Sequence, residues 1–424
     1  MLAQGVVRRR PRAVALAERL DADRRANEVL HRLRDRYGDG PLLLRVPGRR
    51  LAIPFDPADV RDALAASPDP FALATTEKRA ALRHFQPNGV LVTRGPLRER
   101  RRAVNEAVLD THSPVHRLGA SIARVTAEEA DTLLAGGPRT VTYAEYAEAF
   151  WRAVRRITLG DAARDDAEVR DVLDKLRNAA NWAYARPPRP RLRRRLDDLL
   201  TRYVERAEPG SLAAEVRLQY ALPGAAEADP RGQLPHWLFA FDAAAITSAR
   251  TLAVLATHPE PAARARAELG DRDLGQPQYL PYLRGAVHET VRLWPTTLVV
   301  LRETTRPASL GGARLPRGTQ LVVVSGYVNR EPATVPHADR FAPDAWADGR
   351  DDAAPKGAVI PFGDGPGRCP GENLVLLVTT TFAGRLLQRA DVAVDGGATA
   401  RLDPGRPLPG TLDPFRLRLR LTPR

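Results

Sequence analysis

Apolar residues in this chain recur mostly with helical spacing. Residues 1–38 read as largely helical and stop at Tyr37-Gly38. The stretch PLLLRVPGRRLAIP at 41–54 places two short apolar runs around Pro47-Gly48, which predicts a β-hairpin. Asp56-Pro57 opens a short helix over 56–66. Residues 67–93 hold no steady period and read as loop-rich. A long helical region is expected from 96 to about 134, then helices over 142–159, 165–184 and 190–207. Clear breaks fall at RPPRP (186–190), EPGS (208–211) and GAAEADPRG (224–232).

Segment 236–256 is rich in Ala and Leu, lacks Gly and Pro, and predicts a long buried helix. The pattern changes at 298–328. There LVVLRETT and TQLVVVSGYV are β-branched runs on either side of GGARLPRG, so they read as strands with a turn. From 391 onward short strands alternate with Pro/Gly turns. The expected fold is mainly α with a minor β part, its sheet fed from both ends of the chain. A sheet built that way argues for one interleaved domain over residues 1–424, although that length alone would allow two or three.

Composition narrows the function. The chain has 65 Lys+Arg against 51 Asp+Glu, a net charge of +14, and nearly all the cations are Arg, with Lys only at 78, 175 and 356. Such Arg, Ala and Pro usage fits a GC-rich coding bias, and no nucleic-acid reader motif accompanies the charge. Nucleic acid is therefore not an expected partner. No run approaches the roughly 18–20 apolar residues of a membrane span. The Arg-rich N-terminus has no secretory core, so a cytoplasmic, unanchored protein is expected. A single cysteine excludes an internal disulfide and zinc or iron–sulfur sites that need several thiolates.

That cysteine, Cys369, lies in the segment richest in chemical signals, PFGDGPGRCPGENLVLLVTTTF at 361–382. Glycines at 363, 365, 367 and 371 allow tight turns and close approach to a flat ligand. Pro370, an early Glu372 and an apolar run predict a helix start just after the cysteine. The helix dipole and free N–H groups there are expected to favour a thiolate.

The loop resembles the haem-binding loop of the cytochrome P450 family, Phe-x-x-Gly-x-x-x-Cys-x-Gly, read here as Phe362, Gly365, Cys369 and Gly371. The resemblance implies haem b (iron protoporphyrin IX) with Cys369 as its iron ligand and Phe362 and Gly371 beside it. Most members carry a basic residue two places before the cysteine; this chain has Gly367 there and Arg368 next to the Cys. Glu289 and Arg292 match the family's Glu-x-x-Arg, which implies a structural pair with Arg340 nearby. Arg302 in LRETT matches a propionate-binding position. RGPLRERRRAVN resembles the family's His-x-x-x-Arg, with Arg98 in place of His and Arg102 on the Arg. Arg98 and Arg102 share a helix face and Arg100 does not.

The long helix, WLFAFDAAAITSARTLAVLATHPE, resembles the oxygen-activating helix. Counting back from His258-Pro259-Glu260 puts Asp242 on the family's acid, Ala243 and Ala244 where Thr and Thr/Ser normally stand, and Ala240 on the usual Gly. The alcohol that orders proton-relay water is missing, and Thr247 replaces it only if the helix is distorted. Substrate-facing stretches are expected at 71–87, 296–299 and 409–412, with Phe239, Ala243 and Ala244. The resemblance covers most of the chain. It implies a monooxygenase that oxidises a small organic molecule, such as a secondary metabolite, with O2 and electrons from a ferredoxin or flavin-type donor. Surface arginines, Arg368 among them, are expected to dock that donor. A hydrogen-peroxide-dependent peroxygenase, an unusual oxidative coupling enzyme and a non-catalytic family-like partner protein stay as alternatives.

Overall fold

The computed structural model describes residues 4–5, 7–347, 350–351, 354–355 and 357–424. Residues 1–3 and 6 of the expected N-terminal helical stretch lie outside them. Helices Pro11–Arg19 and Ala22–Tyr37 make up that stretch from residue 11 on, while residues 7–10 are not helical. Local capping explains several boundaries. Asp56 accepts from Ala58 N to start Pro57–Ala65. A reciprocal Thr142–Glu145 capping box starts Tyr143–Leu159.

The long region expected at 96–134 is two helices, Pro96–Val108 and Gly119–Asp131. Asp110 sits at φ 49° and its carboxylate accepts from Ser113 Oγ and Arg117 N, closing a turn. Pro114 also steers its predecessor out of helical backbone. A periodicity window does not register such side-chain turns.

The sheet is also divided. A five-stranded sheet runs Leu42–Val46, Arg49–Ile53, Thr319–Val324, Val299–Thr304 and Phe71–Ala72. All its pairs are antiparallel except Arg49–Ile53 with Thr319–Val324. The C-terminal strand Arg418–Pro423 instead joins Ala390–Val394 and Arg139–Thr142 in a separate sheet. The end of the predicted strand at 319–328 turns into the short helix Ser325–Val328, where Asn27 Nδ2 donates to Gly326 O.

The helix Leu234–Thr257, hereafter the distal helix, packs between Tyr143–Leu159 and Glu372–Arg389. With its lead-in from Ala225 it is long and apolar enough to cross a membrane by composition, which departs from the sequence expectation. However, 78% of its most apolar window is buried inside the fold. A helix apolar on every side suits a protein interior equally well.

Candidate active site

The Cys369 loop leads into the helix Glu372–Arg389, with Gly371 as its cap residue and Pro370 outside the helix. Cys369 N donates to Phe362 O at 3.0 Å, which ties the two ends of the loop together. Gly365 has φ 61°, and a Cβ there would lie 2.4 Å from Leu64 O, so no other residue fits. Gly371 is less constrained, since its nearest neighbour would be Leu109 Cδ1 at 3.5 Å. Cys369 also borders a cavity of about 670 Å³ shared with Arg98, Arg102, Pro366, Arg368 and Glu372.

The expected thiolate stabilisation does not hold for the iron-free chain. Burial, then the Glu372 carboxylate, pushes the Cys369 thiol up to about 11, against the Gly371 amide and the charges of Arg102 and Arg368. A metal ion bound at Cys369 would favour the thiolate over the thiol.

Three arginines converge on this loop. Arg98 Nη2 donates to Pro366 O at 3.1 Å and Arg102 Nη1 to Arg368 O at 2.8 Å, so the shared face read from spacing is real. Arg100 points away and pairs with Glu227. Arg302 reaches Ser67 Oγ with Nε at 2.8 Å and Leu301 O with Nη1 at 3.1 Å. Burial, then the Arg98 charge, pulls Arg302 down to about 10. Among the described residues no carboxylate is bonded to Arg98 or Arg302, and Arg98 Nε is buried without a partner. Two buried, mutually repelling guanidiniums need anions. The two propionates of haem b meet that need with bidentate geometry. These residues fit the group.

The distal helix presents one distinct face. His236, Phe239, Ala240 and Ala243 are partly accessible, while Trp237, Leu238, Phe241, Ala244 and Ala245 are buried. The spacing i, i+3, i+4, i+7 is one helix stripe. Thus Ala243 is partly accessible and Ala244 is buried. Asp242 is partly accessible too but lies off the stripe. Its Oδ2 accepts from Arg177 Nη2 at 2.7 Å, and Arg177 also bonds Asp174 and Val7 O. Burial raises Asp242, but the charge and hydrogen bond of Arg177 outweigh it and hold the acid below its ordinary value. Thr247 stands one turn beyond Ala243 on the same stripe, and the helix is regular α there. The distortion that would bring Thr247 into play is absent among the described residues.

Glu289 and Arg292 are fully buried and joined by two 2.7 Å bonds. Arg292 also donates to the carbonyls of Asn329, His337, Ala338 and Arg340, and Glu289 accepts from Ala342 N and Trp346 Nε1. The expected third member, Arg340, contributes its backbone carbonyl and its side chain is exposed. His337 approaches instead, with Nε2 3.9 Å from Glu289 Oε2. Arg368 is held by two 2.7 Å bonds to Glu372. Sequence reading missed Arg177 as the partner of Asp242, which emerges only from packing.

The cytochrome P450 family model matches residues 238–408. Over 252 residues the chain is 29% identical to a cyclooctat-9-en-7-ol 5-monooxygenase of Streptomyces melanosporofaciens, covering 57% of this chain and 52% of that protein. It is 32% identical over 177 residues to a pentalenene oxygenase of Streptomyces avermitilis, covering 40% and 39%. The matched stretch thus spans about half the length, or less, of these curated relatives. Among solved structures, a zebrafish cytochrome P450 with abiraterone superposes with TM-score 0.72 at 20% identity, covering 94% of this chain and 99% of that one. A retinoic-acid-bound cyanobacterial member, CYP120A1, gives 0.71 at 19%, covering 93% and 94%. At such identities the structures speak for the fold alone. The chain has the cytochrome P450 fold, and its residues 238–408, with the cysteine loop among them, match the cytochrome P450 family model.

Proposed function

We propose that this protein is a haem-thiolate monooxygenase that oxidises a small, largely apolar organic molecule with O2 and electrons from a ferredoxin or flavin-type carrier. The observation that carries the reading is the convergence of Arg98, Arg102 and Arg302 on the Cys369 loop, with two of them buried and lacking a bonded anion. When bound, haem supplies the oxygen-activating chemistry. Cys369 is the iron ligand, and Phe362 and Gly371 shape the loop around it. Arg98, Arg102 and Arg302 hold the propionates.

On the opposite side Phe239, Ala240 and Ala243 form an apolar wall that orients substrate. No side-chain alcohol at Ala243 orders the water that passes protons inward. That task falls to ordered water or a substrate hydroxyl, with Asp242 and Arg177 behind the wall as the nearest charged pair. The terpene-derived names of the Streptomyces relatives support a compact apolar substrate. We further propose one interleaved domain over residues 1–424, because the five-stranded sheet joins residues 42–72 to 299–324. A cytoplasmic location is consistent with the burial of the one long apolar helix found among the described residues.

The test is turnover of a terpene panel with NAD(P)H, reductase and ferredoxin against turnover with hydrogen peroxide alone. The monooxygenase reading expects product mainly in the first arm. Product only with peroxide assigns the chain to the peroxygenases.

A further inference from the structure

A second cavity, of about 70 Å³, lies against the later turns of the distal helix, where Ile246 and Arg250 line it. Thr296, Leu298 and Leu412 form other parts of its wall, so two stretches expected to face substrate, 296–299 and 409–412, meet here. Arg9 reaches the same cavity from the segment before the helix Pro11–Arg19. One water needs roughly 10–15 Å³ of such space, so the cavity has room for a group of a few non-hydrogen atoms.

Arg250 is buried. Its Nη1 donates to Trp294 O at 3.0 Å and its Nη2 to Leu412 O, while its buried Nε has no partner. Arg9 donates to Thr296 O at 2.6 Å and to Gly5 O at 3.4 Å. Both guanidiniums thus rest on neutral carbonyls, and among the described residues neither forms an ion pair. The third cation of the wall, Arg330, is paired with Asp339. Asp23 is the one carboxylate in the wall, and its Oδ2 accepts from Thr411 Oγ1 at 2.8 Å. Burial, then the Arg9 charge, pulls Arg250 down to about 10, against Tyr143, Asp413 and Asp23. Two unpaired cations against one carboxylate leave the wall with an excess positive charge and an unused N–H.

We propose that Arg9 and Arg250 form a carboxylate-binding subsite in this cavity, and that it takes the carboxylate of an apolar organic acid substrate. An anion there accepts from Arg250 Nε and from Arg9, which offsets the excess charge and gives the orphaned N–H a partner. The apolar part of the acid lies along Ile246, Leu298 and Leu412, which share the wall. Ala243, Thr247 and Arg250 follow one another on one stripe of the distal helix. Arg250 stands seven residues beyond Ala243, about 10 Å along the helix axis. A substrate held by its carboxylate at the subsite reaches Ala243 if it extends about that far. The placement over Ala243 rests on the monooxygenase reading; the carboxylate preference does not.

Octanoate and octanamide are probes matched in shape that differ in charge. Calorimetric titration of the holoenzyme should show octanoate binding roughly 10-fold or more tighter than octanamide, the worth of a hydrogen bond to a charged group. Arg9→Gln should remove that preference, while Arg9→Lys should retain it. Arg10→Gln is the neighbouring control and should also retain it, because the Arg10 guanidinium lies over the Trp182 ring at 4.6 Å. Equal affinities in the wild type, a preference that survives Arg9→Gln, or its loss in Arg10→Gln would overturn the subsite. So would acetate binding as tightly as octanoate, which assigns the cavity to a small free anion. Failure of the monooxygenase reading shows separately, as lack of a thiolate-ligated haem spectrum, because calorimetry reads the acid preference independently of the iron.

Discussion

The Arg302 guanidinium fills the space that a side chain at position 367 would need: a Cβ on Gly367 would lie 2.5 Å from Arg302 Nη2. It would also lie 3.0 Å from Leu73 Cδ2. Most family members carry a basic residue two places before the cysteine; here the position is Gly367, and the Arg302 guanidinium from the strand Val299–Thr304 occupies the space beside it. Restoring the family residue should therefore harm this protein. Gly367→His should displace Arg302 and cost about 1–3 kcal/mol, as overpacking does. Thermal melting of the holoprotein checks it, and an unchanged midpoint would mean that the strand yields freely.

Arg302 should divide its effects between the loaded and empty protein. Removing a buried charge that repels Arg98 relieves the iron-free fold, whereas the haem loses an anchor. Arg302→Gln should speed haem loss roughly 10- to 100-fold, the worth of one charged hydrogen bond. Urea unfolding of the iron-free chain should show equal or higher stability. Transfer of haem to apomyoglobin measures the first quantity.

Arg177 is buried and Asp242 half-buried, so the two halves of this pair are not equivalent under mutation. Arg177→Met leaves the Asp242 carboxylate without its partner and should cost about 3 kcal/mol, the low end for breaking a buried pair. Asp242→Asn removes the charge itself and should cost less. If Asp242 helps to pass protons, its Asn variant should slow O2-driven turnover more than peroxide-driven turnover. Equal slowing would confine Asp242 to structure.

Acid sensitivity should trace partly to His288. Its ring stacks on Trp346 at 4.9 Å and meets Phe362 edge-on, and burial, then the charges of Arg284 and Arg368, pulls it from 6.5 down to about 3. Between those values the unfolded chain binds the proton and the folded chain does not. Its contribution is complete above pH 6.5 and is lost as pH falls toward 3. The steepest dependence for one proton is about 1.4 kcal/mol per pH unit. His288→Phe should flatten this limb in urea titrations of the iron-free chain; an unchanged slope would mean that His288 is not its source.

Local chemistry made much of this legible in the sequence. The cysteine loop, the paired faces of Arg98 and Arg102 and the Glu289–Arg292 pair depend on short spacings that a helix or turn converts directly into geometry. The hairpin at 41–54 and the distal helix carried strong patterns. What sequence reading missed is of two kinds, local side-chain turns and contacts far apart in the chain. The break after Val108 is of the first kind, made by Asp110 side-chain bonds to Ser113 and Arg117. Arg177 meets Asp242 across 65 positions, and no spacing rule links them. Arg340 was expected near the Glu289–Arg292 pair, but its side chain is exposed and only its carbonyl reaches the pair, because charge was legible and side-chain direction was not.

The central claim is that Cys369 ligates haem iron. The most direct measurement is the absorption spectrum of the reduced, CO-bound holoprotein, for the wild type and for Cys369→Ala. The account predicts the red-shifted Soret band of thiolate-ligated haem in the wild type and its loss in the variant. A Soret band typical of histidine-ligated haem in the wild type, or a thiolate band that persists in Cys369→Ala, would contradict it.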